Sequence, residues 1–220
     1  MTHPTHPLAS ALTLLTSLAA GLCLAGCGSG SSSGPATYVP GDDTYLRMGS
    51  TLEAARAGHA LAPVGSGVVL VSGGETLSAA ADDTAELFDT TSGVSRALGA
   101  RLTTPRTRHV VAPIASGDVL ILGGAGRDGR PLDSVEVFRR ADESFQALEA
   151  RLAAPRAGAS ALVVAGELWI VGGERQHSAE RWDLSTLSRV ARVELPGPAR
   201  VEPTLVALGG RVFVYGGAPD

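Results

Sequence analysis

Glycine pairs recur along the chain in a fixed register: Gly73-Gly74, Gly123-Gly124, Gly172-Gly173 and Gly216-Gly217, at steps of 50, 49 and 44 residues. A period of this length marks a unit that stacks against copies of itself. Each pair closes a run of β-formers: Val68 to Val71, Val119 to Leu122, Leu168 to Val171 and Val212 to Tyr215. Short apolar runs ended by glycine are the pattern of buried strands. An arginine stands 16 or 17 residues before each pair, at Arg56, Arg106, Arg156 and Arg200.

The residues between these markers complete the unit. After each arginine comes another apolar segment, such as Ala60 to Val64 or Val110 to Ile114, and then a tight turn at Ser66-Gly67, Ser116-Gly117-Asp118 or Ala165-Gly166-Glu167. Strand, short turn and strand make a hairpin. Beyond the glycines a third strand is expected at Thr84 to Phe88, Ser134 to Phe138 and Ser178 to Trp182, each with a glutamate two residues in: Glu86, Glu136 and Glu180. A fourth is expected at Val94 to Leu98, Ser144 to Leu148 and Leu187 to Val193, and an isolated copy of it at Thr44 to Met48.

Four strands per unit of this size describe a blade of a β-propeller. The arginine, the glycine pair and the Ser/Thr-x-Glu-x-aromatic segment resemble the kelch repeat, especially its bacterial form related to the propeller of galactose oxidase. The resemblance implies an all-β, kelch-type β-propeller over residues 41–220. It is incomplete, with three full blades plus partial flanking strands, fifteen strands in all. The open ring leaves three alternatives: a truncated reading frame, closure by a second copy through the open edges, or a partial ring. The recurrent arginines and glutamates are expected to pair within or between blades, and Phe88, Phe138 and Trp182 to fill the wedges between them. A role repeated in every unit is architectural.

Composition narrows the function. The formal net charge is −4 and every one of the 18 basic side chains is arginine. Without a basic excess to neutralise phosphates, no nucleic-acid partner is expected. The two cysteines, Cys23 and Cys27, both precede the repeats, so the repeats contain neither disulfide nor thiol nucleophile. The copper–radical chemistry of galactose oxidase, with its Tyr–Cys crosslink, is therefore not carried over. His59 and His109 occupy equivalent positions, but Ala159 and Pro203 follow in the series. No metal site, no cofactor and no catalytic residue is expected.

Residues 1–26 have the form of an export signal. An apolar stretch runs from Leu8 to Leu24 and ends in Leu24-Ala25-Gly26-Cys27, the order of a secretory signal. LAGC resembles the lipobox of bacterial lipoproteins, although Met1 to Pro7 carries no Lys or Arg. The resemblance implies cleavage before Cys27, lipidation of Cys27 and membrane attachment through the lipid. The alternative, an uncleaved membrane helix, is marginal, because 17 residues with several Ser and Thr barely span a bilayer. Residues 27–40 are a Gly/Ser/Pro tether. Gly28 and Ser29 after the cysteine, in place of Asp, imply the outer membrane in a cell that has two.

In a repeat protein, recognition falls to the segments that do not repeat. These are Glu75 to Asp83, Ala125 to Asp133 and Glu174 to His177, with Asp82, Asp83, Arg127, Asp128, Arg130, Glu174, Arg175 and His177 as candidate binding residues. The expected function is a non-catalytic scaffold that binds a protein or a glycan at the cell envelope. The alternatives are an enzyme of the sugar isomerase or hydrolase type, with its site in the propeller mouth, and a fragment without independent function. Replacing Cys27 by Ser is expected to abolish incorporation of radiolabelled palmitate into the chain, measured in the native host.

Overall fold

The structure is a computed structural model. It describes residues 51–219 with their side chains and, in backbone only, β1 (Ala36–Tyr38) and β2 (Tyr45–Arg47). Residues 1–35, which include the segment expected to be an export signal and Cys27, lie outside the described residues. Among the described residues there are strands and turns and no helix.

Three antiparallel four-stranded sheets carry the chain order across each sheet. The first blade consists of β3 (Ala60–Gly65), β4 (Val68–Ser72), β5 (Ala85–Asp89) and β6 (Ser95–Ala97). The second consists of β7 (Val110–Pro113), β8 (Val119–Leu122), β9 (Ser134–Arg139) and β10 (Ser144–Arg151). The third consists of β11 (Ala159–Val164), β12 (Glu167–Gly172), β13 (Ser178–Asp183) and β14 (Ser188–Glu194). A fourth unit begins with the short β15 (Arg200–Val201), continues as the hairpin β16 (Thr204–Leu208) and β17 (Arg211–Tyr215), and returns as β18 (Ala218–Pro219) against β15. The strands added to the expected fifteen are the short β1, β15 and β18. The segment expected as an isolated fourth strand, Thr44 to Met48, contains β2, which among the described residues pairs with β1.

The first strands of successive blades, β3, β7, β11 and β16, lie next to one another, so the blades fan out from them. Antiparallel order places the second-to-third loops and the blade-to-blade connections at one end of the fan. Apolar faces meet between blades. Ala62, Leu70 and Leu87 of the first blade pack with Val119, Ile121 and Phe138 of the second. The opposite face of the second, with Ala112, Leu120 and Val137, packs with Leu168, Ile170 and Trp182 of the third. Phe138 and Trp182 are fully buried and fill the wedges as expected. Phe88, at the equivalent position of the first blade, is only half-buried, because no blade is described in front of it.

The recurrent ion pairs form within each blade. Arg56 meets Glu86 at 2.7 Å, Arg106 meets Glu136 at 2.5 Å and Arg156 meets Glu180 at 3.0 Å, with every side chain at most 1% exposed. The arginine donates further to Gly73 O, Gly123 O or Gly172 O. The glutamate also accepts the backbone N–H of Glu53, Thr103 or Ala153, which pins the incoming connection.

The same arginines join neighbouring blades. Arg106 N–H donates to Asp82 O at 3.1 Å, and Arg106 O accepts from Gly74 N at 2.9 Å, both in the first blade's loops, while its guanidinium lies in the second blade. Arg156 repeats this with Leu132 O and Gly124 N, at 3.0 and 2.7 Å. The glycine pair is the other half of the joint. Gly124 has φ +94°, and a Cβ there would stand 2.6 Å from Thr107 O and 2.8 Å from His109 Cβ. A side chain there would meet both a backbone clash and left-handed strain.

Breaking a buried pair from one side leaves an uncompensated charge, at a cost of about 3–5 kcal/mol, whereas an exposed pair contributes about 1 kcal/mol or less. Glu136→Gln is therefore expected to lower the free energy of unfolding in urea by about 3 kcal/mol or more. Arg96→Ala, which removes the exposed Arg96–Glu143 pair, is expected to change it by less than about 1 kcal/mol.

Candidate functional site

Two clefts on the loop end of the fan take in four of the candidate residues: Asp82, Asp83 and Arg127 line one and His177 the other, while Asp128, Arg130, Glu174 and Arg175 line neither. The first, about 560 Å³, is lined by Ser78, Asp82, Asp83, Thr84, Arg101 and Arg127 among others. It is built by the first blade's β4–β5 loop, the connection from β6 to β7, and the second blade's β8–β9 loop. Asp83 holds Arg101 at 2.6 Å and Arg127 at 3.6 Å. Burial pushes the Asp82 carboxyl up, but the Thr84 N–H at 2.7 Å and the Thr84 and Thr76 hydroxyls outweigh it and hold the group below its usual value. Asp82 is thus an anchored turn residue, while Arg101 and Arg127 are mostly exposed and face solvent.

Asp128 and Arg130 pair with each other at 3.6 Å farther out on the same loop and remain exposed. The second cleft, about 260 Å³, lies between the third blade and the hairpin, lined by Val171, Gln176, His177, Leu195, Arg200 and Val214 among others. His177, which has no partner pattern in the sequence, meets Glu194 at 3.2 Å. Glu174 holds Arg108 at 2.7 Å. Arg175 takes a left-handed backbone, φ 58°.

Arg101 and Arg108 are the residues that sequence reasoning missed. Arg101 had a visible signal: Asp83 and Asp133 recur at a step of 50, as do Arg101 and Arg151, and each aspartate pairs with its arginine. Arg127 is the departure, since it adds a second arginine to the first of these pairs. Arg108 stands where the first and third units have Gly58 and Gly158. These positions are hydrogen-bonded in series from blade to blade: Arg108 N–H to Gly58 O, Gly158 N–H to Arg108 O, Glu202 N–H to Gly158 O. All four residues have φ between 52° and 65°. Glycine bears that conformation without cost; Arg108 and Glu202 bear it at a cost of about 1–2 kcal/mol each. Non-glycine residues held there concentrate at functional sites.

The two histidines lie inside the first joint, away from both clefts. His109 is buried, its Nε2 lies 3.0 Å from Ser72 Oγ, and its Nδ1 has no partner. Burial, then the Arg106 guanidinium, then His59 hold its pKa well below the usual 6.5. Burial and the Arg56 charge lower His59 in the same direction. Among the described residues no three metal-ligating side chains cluster.

No protein-family model matches the chain, and no curated protein matches it. Among solved structures the chain is similar to that of YjhT, with a TM-score of 0.62 and 16% identity over 74% of this chain and 58% of that one. At this identity the likeness shows the fold alone. The fold is all-β and propeller-like, built of antiparallel four-stranded sheets, and the chain spans 58% of the length of the solved structure it matches.

A buried imidazole that stays neutral in the folded state binds fewer protons than it does unfolded below about pH 6.5. Its contribution to stability is therefore present above that pH and is lost as pH falls. Urea unfolding at pH 7.5, 6.5 and 5.5 is expected to show stability falling only over the acid half of the range. His109→Gln is expected to flatten that slope by up to about 1.4 kcal/mol per pH unit.

Proposed function

We propose that the chain is a kelch-type propeller arc that acts as a non-catalytic scaffold binding a protein or a glycan, exported and tethered to the cell envelope by a lipid on Cys27. The observation that carries the binding role is the meeting of two non-repeated loops over one cleft, where Arg127 and Arg101 converge on Asp83. Arg101 and Arg127 balance Asp82 and Asp83 in charge, but both guanidiniums are mostly exposed and keep donors free beyond Asp83, a surface suited to carboxylates on acidic sugars or on acidic side chains. The cleft is open and shallow, which suits an extended partner better than an enclosed small molecule.

One feature favours a second reading, an enzyme of the sugar isomerase or hydrolase type with its site at the mouth. Arg108 keeps an unfavourable backbone at a position where the first and third units have glycine, and its side chain reaches Glu174 across the loops. A glycan array rich in acidic oligosaccharides, with co-precipitation from envelope extracts, tests the binding role. The double variant Arg101→Ala/Arg127→Ala is expected to lose at least tenfold in affinity while its urea midpoint holds. Retained affinity overturns the assignment of this cleft. Arg108→Gly is expected to leave binding intact, and turnover of a sugar that this variant alone abolishes supports the enzyme.

A further inference from the structure

The joint between the first and second blades, both complete, holds a buried group that the next joint lacks. His109 stands where the third blade has Ala159. The ring is wedged between the blades: a Cβ on Gly73 of the first would stand 2.9 Å from its Cε1, and one on Gly124 of the second 2.8 Å from its Cβ. Its Nε2 lies 3.0 Å from Ser72 Oγ, and its Nδ1 is buried without a partner. An imidazolium carries a proton on both nitrogens. In the closed joint that puts a buried Nδ1–H where no acceptor meets it, whichever tautomer the neutral ring takes. The charged and titratable groups that act on the ring are Arg106, on its own connection, and His59, on the connection before β3; both disfavour the added proton. His59 has an orphaned Nδ1 of its own and feels Arg56 and Glu86. Glu86 and Glu136 are already bound to Arg56 and Arg106.

The cleft at Asp83 hangs on this same joint. Its acidic floor belongs to the first blade's loop: Asp82 N–H donates to Gly74 O at 2.8 Å, Arg106 N–H donates to Asp82 O at 3.1 Å, and Leu102 N–H donates to Asp83 O at 2.8 Å. Arg127 belongs to the second blade's loop, which Ala125 ties to Thr107 by two hydrogen bonds of 2.8 and 3.0 Å. From there Arg127 reaches back to Ala81 O at 3.4 Å and to Asp83 at 3.6 Å. The cleft thus draws its guanidinium and its carboxylate from different blades, and closure of the joint sets their spacing. The next joint has neither element: Ala159 replaces the histidine, and Gln176 stands three residues after Gly173 as Arg127 stands three after Gly124.

We propose that His109 is an acid-sensitive latch: only the neutral ring fits the closed joint, and its protonation loosens the two blades and weakens anion binding in the Asp83 cleft. The binding half of this rests on the function proposed for that cleft. The direction follows from proton uptake. Above about pH 6.5 the imidazole is neutral whether the joint is closed or loosened, so closure is undisturbed. Below it the loosened form takes up a proton that the closed form refuses, and closure is lost as pH falls. A ligand that needs the closed joint therefore loses affinity over the same acid range, and by linkage its binding opposes protonation of His109.

The test uses the full chain in detergent at pH 7.5 and 5.5. Hydrogen–deuterium exchange followed by NMR, corrected for the intrinsic rate at each pH, reads the joint amides of Gly74, Asp82 and Arg106. Their protection is expected to fall at least threefold at pH 5.5, while that of Leu120 and Ile121 inside β8 holds. A rhodamine-labelled hexaglutamate peptide, whose carboxylates stay largely ionised at both pH values, is expected to bind at least threefold more weakly at pH 5.5. His109→Gln is expected to remove both changes, with a urea midpoint at pH 7.5 verifying its fold. His59→Gln, at a half-buried position, is expected to reduce both, and it decides the matter if His109→Gln does not fold. Joint protection that is indifferent to pH, or that falls equally in the folded variants, overturns the latch. A joint that loosens while peptide affinity holds overturns its coupling to the cleft. A peptide bound at neither pH counts against the cleft reading alone, and the exchange data still decide the latch.

Discussion

The architecture depends on an arginine whose main chain and side chain belong to different blades. Arg106 is clamped by the first blade at its backbone and saturated by the second at its guanidinium. Arg156 does the same one blade later. A guanidinium has five donors in a rigid plane. It can close onto a carboxylate, a hydroxyl and two carbonyls at once, and few other side chains could satisfy so many buried acceptors. Because desolvation offsets much of the Coulomb gain, the device mainly sets geometry: each blade takes a fixed angle to the next. The apolar wedges at Phe138 and Trp182 then supply the burial that holds the joint shut.

This joint explains why the glycine pairs cannot vary. In the first three pairs the second glycine donates to the arginine carbonyl, and both glycines have positive φ against neighbouring backbone. It also explains why His109 is buried and neutral: the ring packs between Gly73 and Gly124, on the two sides of the joint. The histidines that look like metal ligands in the sequence are joint-packing groups in the structure. In the loops Asp83 and Arg101 form a pair that Asp133 and Arg151 repeat, and Arg127 joins the first of them from a third segment.

The fourth unit makes the same logic visible by omission. Arg200 has its backbone clamp and its glycine contact, yet its side chain stays in solvent. Every residue of the hairpin β16–β17 is exposed or half-buried, whereas the counterparts of β17 in the complete blades, β4, β8 and β12, are largely buried. The burial of a strand in this fold is thus decided by its neighbours as much as by its own residues. Leu120 is fully buried, whereas its equivalent Phe213 is 36% exposed.

The blade pattern was legible in the chain because each marker follows from a local requirement: period-two apolar strands, glycines for positive φ, tight hairpin turns. Twelve blade strands and the hairpin lie within a few residues of where alternation places them. The expected strand at Thr44 to Met48 is present as β2, but a match in spacing says nothing about which neighbour a strand finds; β2 finds β1. The candidate loops were identified by their departure from the repeat, but not their partners. Arg101 and Arg108 were not singled out in the sequence, and the structure ties them to Asp83 and Glu174. By itself the sequence determined the repeat, its strands and the residues of each joint, since these are fixed by covalent geometry and local hydrophobic pattern. Only the tertiary structure decided that each arginine pairs within its own blade while its backbone belongs to the one before. Only it brought Arg127 to Asp83, because that contact depends on how blades stack, which no spacing along the chain encodes.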